Sequence, residues 1–379
     1  MGLLVLLAIP VALSLLLRVV VHWQTWAYFS QAQPPDEAWQ PAVSIIVPVK
    51  GLDERASENF QSLCEQDYAG YEIIFALETE DEPAVPVIQA LGQRYPDCDI
   101  RMVFSTPLGI NAVGKVKNLI AGYGASRYEA IALIDSDVHL APDFLRQSVG
   151  FVTPTGAGAA FAAPVCEGSE NWVAALHNIA VNLSTLNYGA AAYQQRTNNL
   201  VGSIILTRRD VLEAIGGLDA IAHRLVGIDV SLGQAIHKAG YTLGLLNQPA
   251  RMYHSRDTIP QFWWQIHRWL VTIRHYFPNF PWVMVLLALP LWWALLFLGV
   301  AVALGNYAGL GVALVGAVLL ADVLSVAVIN QRLVKDRALW RFLWAAALSE
   351  IVTLPIFIHS LFSNKVLWRG RWLSLEDAS

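Results

Sequence analysis

Charged side chains are scarce in this sequence. Asp, Glu, Lys and Arg make up 15% of its 379 residues, whereas hydrophobic residues make up 55% and the mean hydropathy is +0.44. A typical soluble domain carries about 25% charged residues. The deficit argues against a disordered chain, a coiled coil and an ordinary cytosolic globule, and it indicates a protein that lies partly in lipid. The net charge of −5 argues against non-specific nucleic-acid binding, which requires a basic surface.

Cysteine is also rare. Cys64, Cys98 and Cys166 lie more than thirty residues apart, and no C-x-x-C pair occurs. This spacing excludes a zinc knuckle and a C-x-x-C redox motif, and the odd count argues against a disulfide framework. We expect reduced thiols that face the cytosol. Internal repeats are not visible and most polar residues lie outside the apolar runs, which argues against a transporter or channel.

The hydrophobic residues are concentrated in four runs, each close to the roughly 20 residues that a helix needs to cross a bilayer. The first run contains Arg18, which we expect to extend to the membrane interface; a cleaved signal peptide is the alternative, disfavoured because no basic n-region or cleavage site is present. The last run contains Glu350 and Pro355 and also suits a re-entrant or broken helix. Glu350 is a candidate functional group, or a partner for an arginine of the C-terminal tail. The runs are Leu3 to about Val21, Trp282–Leu304, Tyr307–Ile329 and Phe342–Phe362.

These runs divide the chain into an N-terminal transmembrane helix with its linker (1–35), a soluble domain (36–280) and C-terminal apolar helices with a basic tail (281–379). The loop 331–341 holds four basic residues, so the positive-inside rule places it, and with it the soluble domain, in the cytosol. If the last run also crossed the membrane, the basic tail would lie outside, against the positive-inside rule. We therefore expect that the last run does not cross fully. We predict an integral membrane protein with its soluble domain in the cytosol, and its short loops and compact length are typical of a protein of a bacterial inner membrane.

The soluble part alternates short apolar strands with amphipathic helices, which predicts βαβ units and a parallel, Rossmann-like sheet with right-handed crossovers. A later strand precedes two further helices. The predicted strands are 43–48, 71–77, 100–104, 130–134 and 199–207, and the predicted helices are 57–67, 85–95, 115–125, 208–215 and 230–239.

Two aspartates follow the fourth strand directly. Asp135 and Asp137 flank Ser136 at the carboxyl end of a buried parallel strand, which is where such sheets bind nucleotides. Carboxylate oxygens are hard ligands for Mg²⁺ or Mn²⁺, and such an ion neutralises a diphosphate leaving group. A polar turn that caps the next helix is the alternative interpretation.

Two later features complete the pattern. Asp229 stands at the start of the helix 230–239, where it is either an N-cap or a general base. Gln265 and Arg268 lie one helical turn apart and share a face, with Trp269 beside them. An interfacial amphipathic helix with an Arg and Trp rim is compatible with the same residues.

The ordered set of Asp135 to Asp137, Asp229, Gln265-x-x-Arg268-Trp269 and apolar spans resembles family-2-type glycosyltransferases of the GT-A fold. More narrowly, it is similar to the ceramide glucosyltransferase family and its bacterial relatives that glycosylate hopanoid lipids. The resemblance covers nearly the whole chain. It implies a GT-A nucleotide-diphospho-sugar transferase domain with a mixed, mainly parallel sheet, together with transmembrane helices. The supporting local matches are Val47–Gly51, Gly109–Asn111 with Lys115, Thr207–Leu212 and Trp368–Trp372.

The resemblance also implies roles for individual residues. Asp135 would bind the sugar nucleotide, Asp137 would hold a divalent metal, Mg²⁺ or Mn²⁺, and Asp229 would deprotonate the acceptor hydroxyl. His254 is a second candidate metal ligand, and a packing or surface role is its alternative. The remaining implied contacts to the nucleotide sugar are Pro48, Lys50, Gly51, Glu78, Asp81 and Lys115, and those to the acceptor and diphosphate are Gln265, Arg268 and Trp269.

The sequence departs from the family pattern at two positions. Thr79 occupies the position of the family's uridine-binding aspartate, and Glu78 and Asp81 are both candidates to replace it. Ile228 precedes Asp229 where the family has glutamate.

The expected function is inverting transfer of a hexose from a UDP-sugar, UDP-glucose first, to a lipid hydroxyl such as that of ceramide. A hopanoid polyol with UDP-N-acetylglucosamine is the alternative pair. The small membrane part favours a lipid acceptor, because polymer synthases of this fold need more spans for an export channel. A non-catalytic membrane protein that binds nucleotide sugars is a further alternative.

Overall fold

The five predicted strands are neighbours in one seven-stranded sheet. A computed structural model describes residues 1–31, 38–105, 114–221, 227–368 and 370–375. In chain order the strands are β1 Val43–Pro48, β2 Tyr71–Leu77, β3 Ile100–Phe104, β4 Ala130–Ile134, β5 Val138–His139, β6 Ala159–Phe161, β7 Pro164–Glu167, β8 Ile204–Arg208, β9 Leu243–Leu245, β10 Ala250–Tyr253, β11 Lys365–Trp368 and β12 Arg371–Ser374. The order in the seven-stranded sheet is β3-β2-β1-β4-β8-β6-β9.

Strand direction confirms a mixed, mainly parallel sheet. β1 runs parallel to β2 on one side and to β4 on the other, and β2 runs parallel to β3. β8 pairs antiparallel with β4 and with β6, and β6 runs parallel to β9. The order of the first four strands therefore matches the predicted βαβ connections.

Helices cover both faces of this sheet, which explains why its central strands read as continuous apolar runs. In chain order the helices are α1 Gly2–Gln31, α2 Ala56–Cys64, α3 Val85–Arg94, α4 Gly114–Ala125, α5 Phe144–Ser148, α6 Trp172–Tyr193, α7 Arg209–Ala214, α8 Ile228–Lys238, α9 Ile259–Tyr276, α10 Phe280–Val283, α11 Pro290–Ala303, α12 Ala308–Ile329 and α13 Ala345–Leu361. Short 3₁₀ turns occupy Val149–Phe151, Leu218–Ile221 and Leu339–Phe342, and π-helical turns occupy Met284–Ala288 and Asn330–Val334.

The sheet core is packed from alternate faces of β1. Ile45 and Val47 belong to the core that includes Phe60 of α2, whose ring lies 4.8 Å from that of Phe75. On the other face, Gly122 of α4 lies so close to Ile46 that a Cβ atom there would come within 2.4 Å of its Cγ2 atom. This close approach brings α4 against the strand that lies beside β4.

Most predicted elements are found with ends shifted by a few residues, but one strand is clearly shorter. The prediction of a strand over 199–207 is wrong at its start, because β8 begins at Ile204. Gly202 and Ser203 form a turn, and the Ser203 carbonyl accepts a hydrogen bond from the Asp135 N–H at 2.9 Å. The turn before the shortened strand therefore lies against Asp135, the predicted sugar-nucleotide aspartate.

The apolar runs form helices of different kinds. Among the described residues, Gly2–Gln31 and Ala308–Val334 are long and apolar enough to cross a membrane. Phe280–Ala288 and Pro290–Ala303 could together form a third span, but they are bent by 55°. The run containing Glu350 forms a shorter apolar helix, Ala345–Leu361. The protein is therefore a membrane protein by its helices, and two of the four predicted runs are single helices of full spanning length.

A charged cluster joins three of these helices. Arg18 of α1 forms an ion pair with Asp322 of α12, and its other guanidinium nitrogen lies 3.1 Å from Glu350 of α13. Two carboxylates thus hold Arg18 between helices, and its reach to the membrane interface stays a prediction. Glu350 pairs with this arginine, and Arg369 of the tail lies outside the described residues.

The described chain forms two compact units. The sheet unit comprises the described residues of 28–165 and 191–253, and the helical unit comprises Met1–Ala27, Cys166–Ala190 and the described residues from His254 onward. Segments 166–190 and 254–280, which the sequence suggested as parts of the soluble domain, thus belong to the unit that contains the apolar helices. All three cysteines are free thiols, as predicted.

Candidate functional site

The predicted carboxylates of the sheet unit lie around one lysine. Asp135 follows β4, and its Oδ1 atom lies 2.5 Å from the Nζ atom of Lys115 on α4. After Asp137 the chain enters the short strand β5 rather than a helix. The interpretation of this segment as a helix cap is therefore wrong, and the aspartates lie at the carboxyl end of the parallel strand as predicted.

Lys115 keeps its positive charge in this position. Burial lowers the pKa of its ammonium group, but Asp135, Asp229 and Asp137 together raise the pKa above its ordinary value. The lysine side chain is only partly covered, with 26% of its surface exposed. A fixed cation at the end of β4 can contact a phosphate group.

Asp137 has an unsatisfied carboxylate. Its Oδ1 atom is buried and has no hydrogen-bond partner among the described residues. Burial, followed by the charges of Asp135 and Asp53, raises the pKa of Asp137 to about 7. Asp53, which sequence reasoning missed, also accepts a hydrogen bond from the Ser136 hydroxyl at 2.5 Å. An unpartnered buried carboxylate oxygen among other carboxylates has the donor chemistry that a hard divalent cation requires.

Asp229 is not the N-cap of its helix. α8 begins at Ile228, and Gly227, with a left-handed φ of 66°, occupies the cap position without a side-chain hydrogen bond. Burial raises the pKa of Asp229, although Lys115 opposes the shift. The carboxylate also lies against Gly202, where an added Cβ atom would approach its Oδ2 atom to 3.3 Å. A half-buried aspartate with a raised pKa suits proton acceptance better than helix capping.

A second group of predicted residues surrounds the end of β1. Pro48 ends the strand, and Lys50 Nζ lies 3.1 Å from Glu78 Oε2 and 2.7 Å from Glu82 Oε1. The Gly51 N–H donates to Glu82 Oε2 at 2.8 Å, with Gly51 in the left-handed region at a φ of 71°. Glu82 is buried and was missed, although it belongs to the acidic stretch that follows β2.

Glu78 and Asp81 differ in their surroundings. Glu78 lies against the start of α4, since a Cβ atom at Gly114 would come within 1.9 Å of its Oε1 atom. Asp81 is exposed. Of the two candidates for the uridine position, Glu78 is therefore the one that packs beside the helix carrying Lys115.

The Gln265, Arg268 and Trp269 motif lies on α9 in the helical unit. Thr258 caps this helix in a capping box with Gln261, and Pro260 stands in its first turn. All three motif side chains are half-buried, the Arg268 guanidinium lies 5.4 Å from the ring of Trp368, and Trp269 meets the ring of His177 edge-on at 5.5 Å. The predicted amphipathic helix is thus present.

His254 also belongs to the helical unit, where it lies beside His177 and Asp257. Asp257 Oδ2 lies 3.1 Å from His177 Nδ1 and 3.2 Å from His254 Nε2. Burial, with a smaller contribution from the neighbouring His254, lowers the pKa of His177, whereas the two imidazoles hold the pKa of Asp257 well below its ordinary range. His177 was missed because it lies 77 residues before His254 in the sequence; the His254-x-x-Asp257 spacing was the local signal for Asp257. Gly109–Asn111 of the sequence pattern lies outside the described residues.

A parallel-rich sheet of this order, with an acidic cluster at the carboxyl end of β4, defines a GT-A-like glycosyltransferase fold. The same fold occurs in the mannosyltransferase PcManGT from Pyrobaculum calidifontis, solved in complex with GDP-Man and Mn²⁺. That structure superposes with a TM-score of 0.57 at 17% identity, over 94% of this chain and 99% of that chain.

The chain belongs to glycosyl transferase family 21, whose model matches residues 5–379. It is 24% identical over 238 residues to ceramide glucosyltransferase 1 of Caenorhabditis elegans, covering 61% of this chain and 49% of that protein. It is 36% identical over 110 residues to the ceramide glucosyltransferase of Komagataella phaffii (strain GS115 / ATCC 20864), covering 28% of this chain and 22% of that protein. The matches thus span about half or less of these curated relatives.

Proposed function

We propose that this protein transfers a hexose from a UDP-sugar, UDP-glucose first, to the hydroxyl of a membrane lipid such as ceramide, with inversion at the sugar. The observation that supports this most directly is the placement of Asp229 and Asp135 around Lys115. This arrangement brings a carboxylate that can act as a base and the cation of Lys115 together at the carboxyl end of parallel strands. The family membership and the names of the curated relatives support the same reaction class.

Asp229 is the proposed general base. Inversion requires one group that removes the proton of the acceptor hydroxyl while the sugar–phosphate bond breaks on the opposite side. Burial raises the pKa of Asp229, which makes its carboxylate a stronger proton acceptor than an exposed aspartate, and the charge of Lys115 opposes that shift. The proton therefore passes to Asp229 and the leaving diphosphate carries away the bonding electrons.

The donor side is proposed to consist of Asp135, Lys115 and the residues after β1. Lys115 and Lys50 supply cations for the diphosphate, Gly51 supplies a backbone turn beside them, and Glu78 is the proposed contact for uridine. Asp81 is exposed, and we propose that it contributes less to uridine binding than Glu78 does. Pro48 ends β1 so that this turn begins at the sheet edge.

Asp137 is the proposed metal ligand. Its buried Oδ1 atom, which has no partner among the described residues, fits a divalent cation. The Mn²⁺ in the Pyrobaculum calidifontis mannosyltransferase supports a divalent ion in this fold. A bound Mg²⁺ or Mn²⁺ would neutralise the charge of the diphosphate leaving group. His254 is not assigned to this ion, because its imidazole already lies against Asp257.

The acceptor is proposed to be a lipid that reaches the protein from the membrane. Gln265, Arg268 and Trp269 lie on a helix rich in aromatic residues, in the unit that also contains the apolar helices. Aromatic side chains with polar tips suit the interface between lipid and water. We propose that these three residues contact the acceptor and the diphosphate.

A direct assay with purified, detergent-solubilised protein tests the reaction. The protein would be incubated with Mn²⁺ or Mg²⁺, a panel of UDP-sugars, and either ceramide or a bacteriohopanepolyol, and glycolipid would be measured by mass spectrometry. We expect glucosylceramide from UDP-glucose. Product only from the hopanoid with UDP-N-acetylglucosamine would overturn the assigned substrates and keep the reaction class. Tight UDP binding without any product would overturn the activity.

Asp229→Asn tests the proposed base. We expect the variant to bind the UDP-sugar as the wild type does and to lose roughly 10²–10⁴-fold in transfer rate, the range for loss of a general base. Asp219→Asn, at an exposed aspartate of the same unit, is the matched control and should keep wild-type turnover. Unchanged transfer in Asp229→Asn would show that Asp229 is structural.

A further inference from the structure

The group formed by His177, His254 and Asp257 has the composition of a metal site that differs from the aspartate pair after β4. Each residue offers one ligand atom, and the three atoms lie within 4.8 Å of one another. Two imidazole nitrogens and one carboxylate oxygen suit zinc and related transition metals, whereas Mg²⁺ prefers oxygen ligands alone.

The two separations from Asp257 fit a single tetrahedral ion. Zinc binds nitrogen and oxygen at about 2.0–2.1 Å, and two ligands at this distance in a tetrahedron lie roughly 3.3 Å apart. The observed separations from Asp257 Oδ2 are 3.1 Å to His177 Nδ1 and 3.2 Å to His254 Nε2. The same carboxylate oxygen faces both rings, so a small movement of these atoms can place an ion among all three.

The surrounding residues fix the orientation of the ligands. The other Asp257 oxygen accepts the Thr258 N–H at 2.9 Å, and the Asp257 carbonyl accepts Asn171 Nδ2 at 2.9 Å. The His254 carbonyl accepts Asn178 Nδ2 at 3.1 Å. Such outer contacts hold metal ligands in place and tune their affinity.

One side of the group is accessible. The side chains of His177 and Asp257 are 12% and 3% exposed, whereas that of His254 is 30% exposed. Three protein ligands with an accessible side are the arrangement in which zinc keeps its fourth position for water or another ligand.

We propose that His177, His254 and Asp257 bind a zinc ion. The three ligands lie in the helical unit: His177 is on α6, and His254 and Asp257 are in the segment just before α9, the helix that carries Gln265, Arg268 and Trp269. Because Trp269 lies against the ring of His177, the ion would also fix one side of that motif. The inference does not rest on the proposed transferase activity, since it requires only these three side chains.

Metal content tests the site without an activity measurement. Full-length protein, with any affinity tag removed, would be purified in detergent, dialysed against chelator, loaded with ZnCl₂ and desalted, and its zinc measured by mass spectrometry. We expect one tightly held zinc ion per chain in the wild type. His177→Gln and Asp257→Asn should weaken zinc binding by more than about 100-fold, because loss of outer contacts alone costs 10–100-fold.

Two controls separate this site from its alternatives. His237→Gln, at an exposed histidine, and Asp137→Asn, in the sheet unit, should both retain the zinc ion. Because a ligand variant could fail to fold, Co²⁺ would also be titrated into the chelated wild-type protein, where a tetrahedral site gives a visible absorption band. Absence of both retained zinc and this band in the wild type would overturn the proposal and leave a hydrogen-bonded His–Asp–His group. Zinc lost only in Asp137→Asn would place the ion elsewhere and also overturn it.

Discussion

His267 is a buried histidine without a polar partner. Its side chain is fully inaccessible, and neither ring nitrogen has a hydrogen bond to the described residues. It packs 4.4 Å from the ring of His359 and edge-on against Trp264. Burial, followed by the charges of His359 and Arg274, lowers the pKa of His267 to about 4. The residue is therefore neutral at physiological pH, and its protonation is less favourable in the folded protein than in the unfolded chain.

Acidification should destabilise the protein through His267. Because its folded-state pKa lies below the unfolded value of about 6.5, the stability present at higher pH is lost as pH falls from 6.5 through 4, with about 2 kcal/mol lost by pH 5. We expect the melting temperature in detergent to fall less between pH 8 and pH 5 in His267→Gln than in the wild type. His237→Gln, at an exposed histidine, should keep the wild-type dependence. Equal pH dependence in His267→Gln would contradict the assignment.

Asp137 should couple nucleotide binding to the divalent ion. We expect Mn²⁺ to tighten UDP binding by the wild type, measured by calorimetry, and chelator to reverse the effect. In Asp137→Ala, the gain in UDP affinity that Mn²⁺ gives should be smaller by about tenfold or more, because a metal ligand is lost. Asp97→Asn, at an exposed aspartate of the same unit, should behave as the wild type. If the UDP affinity of the wild type changed with neither Mn²⁺ nor chelator, the assignment of Asp137 as a metal ligand would be wrong.

Among the secondary-structure elements, the local sequence predicted the bounds best where an element's own residues determine where it begins and ends. β1, β2 and β4 begin and end where the apolar runs do, because these strands are buried on both faces and bounded by turn residues. β3, at the edge of the sheet, also keeps its predicted bounds although its side chains are only partly buried. The start of α8 was misjudged, since Gly227 in a left-handed conformation begins the helix before Asp229. Residues such as His177 and Glu82 could not be placed, because distant segments bring them to their partners.

The bend near Leu289 shows why a uniform apolar run need not be one straight helix. Pro290 has no N–H to donate, and a π-helical turn precedes it, so the helix breaks between α10 and α11. The break leaves the Leu291 N–H without a helical partner. Glu350 Oε2 accepts it at 2.8 Å while Oε1 lies 3.1 Å from Arg18. Glu350 therefore stabilises a broken helix as well as an ion pair.

Removal of Arg18 alone should lower the stability of the folded protein more than removal of all three charges of the cluster. Arg18→Met leaves Asp322 and Glu350 buried without a cation, and breaking a buried ion pair in this way costs about 3–5 kcal/mol. We expect a lower melting temperature and more aggregation during purification. The triple change Arg18→Met, Asp322→Asn, Glu350→Gln should recover most of the loss. Leu16→Met, at an exposed position of α1, is the control; a triple variant less stable than Arg18→Met would contradict this account.

At the scale of the whole molecule, the distribution of charge predicts which side of the membrane each segment occupies. The loop 331–341 carries four basic residues, and α12 precedes it as a helix long enough to cross a bilayer. The positive-inside rule places that loop in the cytosol. If α12 crosses once, the turn between α11 and α12 lies outside, and if the bent pair before it crosses once, the sheet unit returns to the cytosol.

Single cysteines test this topology. In a background with Cys64, Cys98 and Cys166 replaced by alanine, Asn306→Cys would report on the turn between α11 and α12, and Lys238→Cys on the sheet unit; both positions are exposed. We expect a membrane-impermeant maleimide to label Asn306→Cys in intact bacterial cells and Lys238→Cys only after permeabilisation. The background itself should keep glycosyl transfer, because the proposed mechanism uses no thiol. Labelling of both positions in intact cells would mean that the bent pair does not cross, and the reverse pattern would invert the whole assignment.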